Sequence, residues 1–375
     1  MKTTINKNIL KQVLNIVQRA TGKNINLPIL SSLFIESKKN YLELKATDLE
    51  HAILCKVLAD NEKEGSVVCP AKTLESTFSV FPSEKVLLQE EGNFLLIKSE
   101  GTSIKIKKDN KENFPIIPRI KNKEKIVQIK AQALCEALSK VINFIGINST
   151  KIEITGVYFN ASNNVLKLVA TDNFRLAEQK VYFEKENNLD FSFILPFKTA
   201  RSFIDVFSKI DGVVDLVISE NQVEFIFEDK SYQIFNIEIV SKLIEGEFPS
   251  YEKIIPVTFS TEAVFNKDEF LQRIQLASVF SSKINDVVFV FNVQNNKILI
   301  KSENQQTGEF EGELTADLSG KDIKIAFNYK FLIEGVNVFN TNEIFMGLNN
   351  EDEPVLFKSE KDKDFIYIIM PLKID

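Results

Sequence analysis

Apolar and polar positions alternate along three ungapped stretches of the chain, each reading as strand, polar turn, strand. Leu33–Asp48 is LFIESKKNYLELKATD, Val157–Asp172 is VYFNASNNVLKLVATD, and Phe289–Asn304 is FVFNVQNNKILIKSEN. The copies lie 124 and 132 residues apart, the period of a small domain rather than of a solenoid repeat. Ahead of each hairpin the apolar residues switch to helical spacing: Leu10, Val13, Leu14 and Val17; Leu134, Ala137, Leu138 and Val141; Phe270, Leu271, Ile274 and Ala277. Those intervals put each set on one helix face. After each hairpin a strand runs into a second helix, at Pro70-Ala71-Lys72, Pro196-Phe197-Lys198 and Asn328-Tyr329-Lys330. Its apolar face would use Leu74 and Phe78, then Phe203, Ile204 and Phe207, then Phe331, Leu332 and Val336. Paired strands such as Lys85–Leu88 with Asn93–Ser99 close each unit, and the first two units end in Phe114-Pro115 and Phe248-Pro249. The expected fold is therefore α+β, three repeated domains of helices packed on antiparallel sheets. The boundaries fall at 1–121, 122–253 and 254–375, with Lys121–Lys125 as a charged linker.

Composition narrows the chemistry more than the fold. Trp is absent and Phe numbers 31, so the cores should lean on Phe. No apolar run reaches the roughly 20 residues of a membrane span, and MKTTINKNILKQ has no signal-peptide apolar stretch; a cytoplasmic protein without a membrane partner is expected. Cys55, Cys69 and Cys135 form no pairing motif and read as buried reduced thiols. The only histidine, His51, sits in an alternating strand segment and reads as a packed or surface residue. One histidine and three scattered cysteines do not make a usual zinc site, and no phosphate loop, G-x-S-x-G or H-E-x-x-H is present. Neither metal, cofactor nor catalytic residue is expected. Thr47-Asp48 and Thr171-Asp172 occupy equivalent places in successive repeats and read as strand-end turns, with Asp accepting backbone N–H groups.

Charge is uneven along the chain. The net value is −6, but the thirds carry +5, −4 and −7. Lys7, Lys11 and Gln18 lie on the polar side of the first helix, and Lys72, then Lys198 and Arg201, then Lys330 open the second helices. Phosphate attraction is screened over about 8–10 Å, so an acidic chain still holds DNA where positive charge gathers on one surface.

Taken in order, several motifs resemble one family. They are Leu27-Pro28-Ile29-Leu30, Ala46-Thr47-Asp48-Leu49-Glu50, Thr155-Gly156-Val157, Ala170–Ala177 (ATDNFRLA), Glu245–Tyr251 (EGEFPSY) and Met370-Pro371-Leu372-Lys373. With this spacing on a threefold internal repeat, the chain is similar over its whole length to the bacterial sliding clamp, the DNA polymerase III beta subunit. The resemblance implies a non-catalytic processivity factor: a head-to-tail homodimer forming a six-domain ring around duplex DNA, helices inside and sheets outside. It also implies a hydrophobic pocket for short linear motifs of the replicative polymerase alpha subunit, the clamp loader, repair polymerases and mismatch-repair proteins. Matched residue by residue, that pocket would use Ile154, Thr171, Asn173, Phe174, Arg175 and Leu176; then Pro249, Lys253 and Ile254; then Pro354, Ile368, Met370, Pro371 and Leu372. The DNA-facing residues would be Lys11, Lys72, Asn148, Lys198 and Arg201.

The chain departs from the family where the pocket should be. Asn173-Phe174 stands in place of Gly-His, which makes the rim more apolar and removes a hydrogen-bonding ring. Asn24 replaces a basic position beside Lys23, and Lys373-Ile374-Asp375 replaces an Arg-Leu ending. Two other readings stay open on sequence alone: a clamp-like module that binds peptides without loading onto DNA, and an enzyme using Asp48 or Asp172.

Overall fold

The computed structural model describes residues 1–121, 125–183 and 190–373; most of the expected linker Lys121–Lys125, and the last two residues of the chain, lie outside them. All three hairpins form. The first two close with two-residue turns, Lys38 facing Tyr41 and Ser162 facing Val165. Asn163 and Asn164 both take positive φ (50° and 65°), as the tight hairpin turn requires. In the third, Asn292 faces Lys297 across a four-residue loop, so Phe291 pairs with Ile298 rather than with Ile300, the counterpart of Leu168. Asp322 and Asn292 hold that longer loop by accepting from the Val293 and Asn295 amides. A slip of two residues keeps every side chain on its original face, which is why the sequence correspondence survives it.

Six helices stand at the expected places among the described residues: α1 Lys7–Val17, α2 Ala71–Val80, α3 Ala131–Val141, α4 Phe197–Phe207, α5 Lys267–Ser278 and α6 Tyr329–Asn337. α1 buries Leu10, Val13, Leu14 and Val17, and α5 buries Phe270, Leu271, Ile274 and Ala277, the faces expected from spacing. Asn6 and Asn266 cap them by accepting from two backbone amides each. Two positions differ from expectation. Val206, not Ile204, completes the buried face of α4, and Phe331 on α6 is only half-buried while Leu332 and Val336 are fully buried.

The chain forms two compact units, each joining pieces of successive repeats. The first consists mainly of Met1–Glu136 and Lys198–Ile244. Its eight-stranded sheet is continuous because His51–Leu58 of the first repeat pairs antiparallel with Ile234–Lys242 of the second, His51 facing Ser241. A five-stranded sheet beside it ends in an unpaired edge, Thr102–Lys107. The second unit consists mainly of Ala137–Tyr182 and Glu245–Asp375. There Arg175–Tyr182 pairs with Asp362–Ile369, Leu176 facing Ile368, inside a nine-stranded sheet. A four-stranded sheet in this unit ends in the edge Gly308–Thr315.

Each Phe-Pro segment straps across its own unit. Phe114 packs on Phe34 at 5.3 Å, Ile117 joins Ala52, Leu54 and Val240, and Arg119 reaches the buried carboxylates of Glu224 (3.1 Å) and Glu238. In the second unit Phe248 stacks on Tyr158 at 4.6 Å, and Tyr251 enters a cluster with Val169, Leu176, Leu356 and Ile368. The Tyr251 hydroxyl donates to Glu178 at 2.6 Å, and burial together with that carboxylate pushes its pKa far up. The three cysteines are buried thiols outside any disulfide, and burial pushes Cys69 and Cys135 up to about 12, which keeps them protonated and unreactive.

Candidate functional site

Asp172 organises the turn that leads into the Arg175 strand. Its Oδ1 accepts from the Phe174 and Arg175 amides at 3.0 and 3.1 Å, and Thr171 Oγ1 donates to the Arg175 carbonyl at 2.7 Å while accepting from the Asn173 amide. Asn173 takes φ +76°, a conformation asparagine adopts more readily than most residues. The turn pushes Phe174 outward, 61% exposed, and turns Arg175 inward. Arg175 Nε donates to Asp172 Oδ2 at 2.9 Å, a terminal nitrogen reaches Glu334 of α6, and the guanidinium lies 4.4 Å from the Phe331 ring and 5.1 Å from Phe144. Burial alone would lower its pKa, but Glu334 and Asp172 hold it raised, so the charge is fixed and already paired.

The end of the chain lies along this turn. The Met370 amide donates to the Phe174 carbonyl at 2.8 Å and the Leu372 amide to the Ala326 carbonyl at 2.8 Å. Met370, Pro371 and Leu372 are half-buried. Phe174 and Phe331 stack with centroids 6.4 Å apart. The result is an apolar shelf with a satisfied cation beneath it, suited to apolar side chains of an extended peptide.

The fourteen residues expected at this site all belong to the second unit and sort by burial. Asn173, Phe174, Pro249, Lys253 and Ile254 are exposed; Arg175, Pro354, Met370, Pro371 and Leu372 are half-buried. Ile154, Thr171, Leu176 and Ile368 are buried. Leu176 and Ile368 are core neighbours of Tyr251, while Ile154 lies under Gly146, whose amide is shared by the Ile154 and Thr171 carbonyls. These buried residues support the shelf from below. Phe331, Phe144, Glu334 and Asp172 were not among the expected residues. The available signal was position: Phe331 and Glu334 sit one turn apart at the start of α6, so a core reading of Phe331 brings Glu334 to the same face.

The residues expected to face DNA divide differently. Lys11 and Lys72 have no ion-pair partner among the described residues. Lys72 lines a trough of about 620 Å³ between α2 and the edge strand Thr102–Lys107. Lys198 is held by Asp48, and Arg201 pairs with Asp205 one turn on. Asn148 is exposed in the other unit. The Asp48 turn repeats the Asp172 turn, with Oδ1 accepting from the Glu50 and His51 amides at 3.0 and 2.8 Å. His51 is buried, Nδ1 3.0 Å from Asp48 and Nε2 3.4 Å from Ser202. Asp, His and Ser thus stand in line but 3–5% exposed at His and Ser, without room for a substrate. Among the described residues no helix is long and apolar enough to cross a membrane, and no metal-ligand cluster is found.

Three family models match in succession: the DNA polymerase III beta subunit N-terminal domain over residues 1–118, the central domain over 128–250 and the C-terminal domain over 252–373. Among curated proteins, the beta sliding clamp of Synechocystis sp. is 26% identical with both chains covered completely, and that of Streptococcus pneumoniae is 26% identical over 99% of this chain and 98% of its own. Among solved structures, the Bacillus subtilis sliding clamp superposes with a TM-score of 0.93 at 23% identity. The Thermotoga maritima DNA polymerase III beta subunit gives 0.91 at 26%; both cover each chain completely. A Pseudomonas aeruginosa sliding clamp bound to griselimycin gives 0.92 at 20%, also over both chains entirely.

Proposed function

Since this chain belongs to the DNA polymerase III beta subunit family over essentially its whole length, we propose that two copies close head to tail into a ring that slides on duplex DNA and tethers polymerases to it. Residues 1–121, 122–253 and 254–375 are its three domains. The protein does no chemistry of its own. A topological tether needs contacts with phosphates that carry no sequence information and exchange easily, and a site where other proteins can be held.

The observation that carries the second requirement is the Phe174 shelf beside Met370-Pro371-Leu372. An exposed aromatic ring backed by a fixed, fully paired Arg175 suits a short motif with Leu and Phe anchors. Met370 adds an adaptable wall, consistent with several partners, among them the replicative polymerase, the clamp loader and repair proteins.

Head-to-tail closure is supported by two of the sheet edges, one in each unit. Thr102–Lys107 exposes Lys105 and Lys107, and Gly308–Thr315 exposes Glu309, Glu311 and Glu313. Joined across two copies, these edges would satisfy each other's backbone groups and oppose unlike charge. Val80 beside the first edge, and Leu276, Val279 and Ile284 in the third repeat, are exposed apolar residues that such a contact would cover.

The test places the protein, with its loader and ATP, on nicked circular DNA and compares retention before and after linearisation. Retention on the circle and loss from the linear form is expected. Met370→Ala combined with deletion of Pro371–Asp375 should leave the dimer intact and abolish binding of a Leu/Phe peptide. Equal retention on both DNA forms would overturn encirclement, and unchanged peptide affinity in the variant would overturn the pocket.

A further inference from the structure

We propose that Asp205, together with Asp48, sets how loosely the α4 face grips duplex DNA by competing with backbone phosphate for that face's cations; the inference rests on the DNA-encircling reading above. On α4, Lys198, Arg201 and Asp205 follow at intervals of three and four and share one polar stripe, while Ala200, Phe203 and Phe207 are buried. Asp205 divides its two oxygens between two arginines. Oδ1 lies 3.4 Å from Arg201 Nε, and Oδ2 takes Arg19, which reaches across from the turn Gln18–Ala20 that follows α1. Lys198 is taken by Asp48 Oδ2. Three cations are thus matched with two carboxylates, whereas Lys11 and Lys72 carry none.

The pairs around Asp205 are displaceable. Arg201 is 58% exposed, Arg19 39% and Asp205 26%, and exposed ion pairs of this kind hold weakly. A phosphate can take either arginine, and the carboxylate takes it back when the DNA moves on. Each phosphate contact then gains less, because it replaces a protein contact rather than a hydrated cation, while the net positive charge that attracts DNA persists. Asp48 is a poorer probe of this exchange because it is nearly buried and also builds its turn. Asp205 has no such second duty among the described contacts.

The experiment measures full-length protein by anisotropy across a salt series on a short fluorescent linear duplex, whose free ends let it enter a closed ring without a loader. Asp205→Asn should bind roughly three- to tenfold tighter at low salt, with the log–log salt slope steeper by about one to two as the freed arginines engage phosphate. Asp205→Glu should match the unaltered protein, and Asp205→Ser should repeat the Asn result if the amide destabilises α4. Lys11→Ala and Lys72→Ala, measured alongside, should weaken binding. If they do so while Asp205→Asn leaves affinity and slope unchanged, competition by Asp205 is overturned and the DNA-facing assignment stands. If none of the variants alters binding, the DNA-facing assignment falls and this inference with it.

Discussion

Asp48 and Asp172 do the same local work and diverge in what they orient. Each accepts two backbone amides in a turn that carries a residue at φ near +80°, Leu49 in one and Asn173 in the other. Three residues on, one turn presents His51 to Ser202 and the other presents Arg175 to Glu334, and both partners are the sixth residue of their helix. Small Thr199 and Ser202 let His51 sink out of solvent; Phe331 and Glu334 hold Arg175 half-buried beneath an exposed Phe174. The same device thus makes a closed joint in the first unit and an open apolar shelf in the second. Burial alone would raise the Asp48 pKa, but hydrogen bonds from the His51 ring, the His51 amide and Lys198 pull it well below the usual carboxylate range. A carboxylate whose pKa is depressed on folding adds stability above its unfolded pKa of about 3.9 and loses it as pH falls toward the folded value. Asp48→Asn keeps an acceptor oxygen but not the charge. It should cost about 1–2 kcal/mol at neutral pH, and urea melts repeated at falling pH should show the gap closing only below pH of about 4.

Elements whose pattern is local were legible in the sequence; those set by distant partners were not. The buried faces of α1 and α5 and the two Thr-Asp turns follow from spacing within a dozen residues. The third hairpin kept its face but not its register, because a slip of two leaves apolar alternation unchanged. At the site, Met370-Pro371-Leu372 and Phe174 were identified by resemblance, but the ring under Arg175 was not, since Phe331 carries no mark that separates a core position from a shelf. The straps were equally silent. Arg119 meets Glu224 across 105 residues of sequence, and the strap also places the Ile120 amide 2.7 Å from the same carboxylate. Glu224 is fully buried, and Arg119 is the cation that pairs with it, through Nε at 3.1 Å and a terminal nitrogen at 3.2 Å. Arg119→Ala should therefore cost about 3 kcal/mol, the low end for a stranded buried charge, because Lys56 stays 3.4 Å from Glu238. Adding Glu224→Gln should recover part of the loss by removing the stranded charge, a coupling readable from urea midpoints of the single and double variants.

At the scale of the whole molecule, the edge strands Thr102–Lys107 and Gly308–Thr315 bear on whether the chain stays single. An exposed edge is normally blunted by charge against chance pairing, and here the blunting charges on each edge strand are of one sign: Lys105 and Lys107 on one, Glu309, Glu311 and Glu313 on the other. Lys105 is shared with Glu91, and Glu311 and Glu313 with Lys301 and Lys297 on the neighbouring strands, which leaves Lys107 and Glu309 as the charges without an ion-pair partner among the described residues. Like edges repel, so a twofold contact through the same edge on both copies is disfavoured, and unlike edges attract. That asymmetry favours head-to-tail joining, in which two such contacts would close a pair of chains and cover both of these edges on each. In such a pairing, backbone hydrogen bonds and the exposed apolar residues beside the edges would supply the affinity, while the charges would supply register and partner choice. Light scattering across a dilution series should give twice the chain mass of 42.7 kDa. Lys105→Glu with Lys107→Glu should shift it to the single-chain mass at the same concentrations. Combining those changes in one chain with Glu309→Lys, Glu311→Lys and Glu313→Lys should restore the dimer, since both edges are then reversed together. A dimer that ignores the first pair of substitutions would mean that the chains join through some other surface.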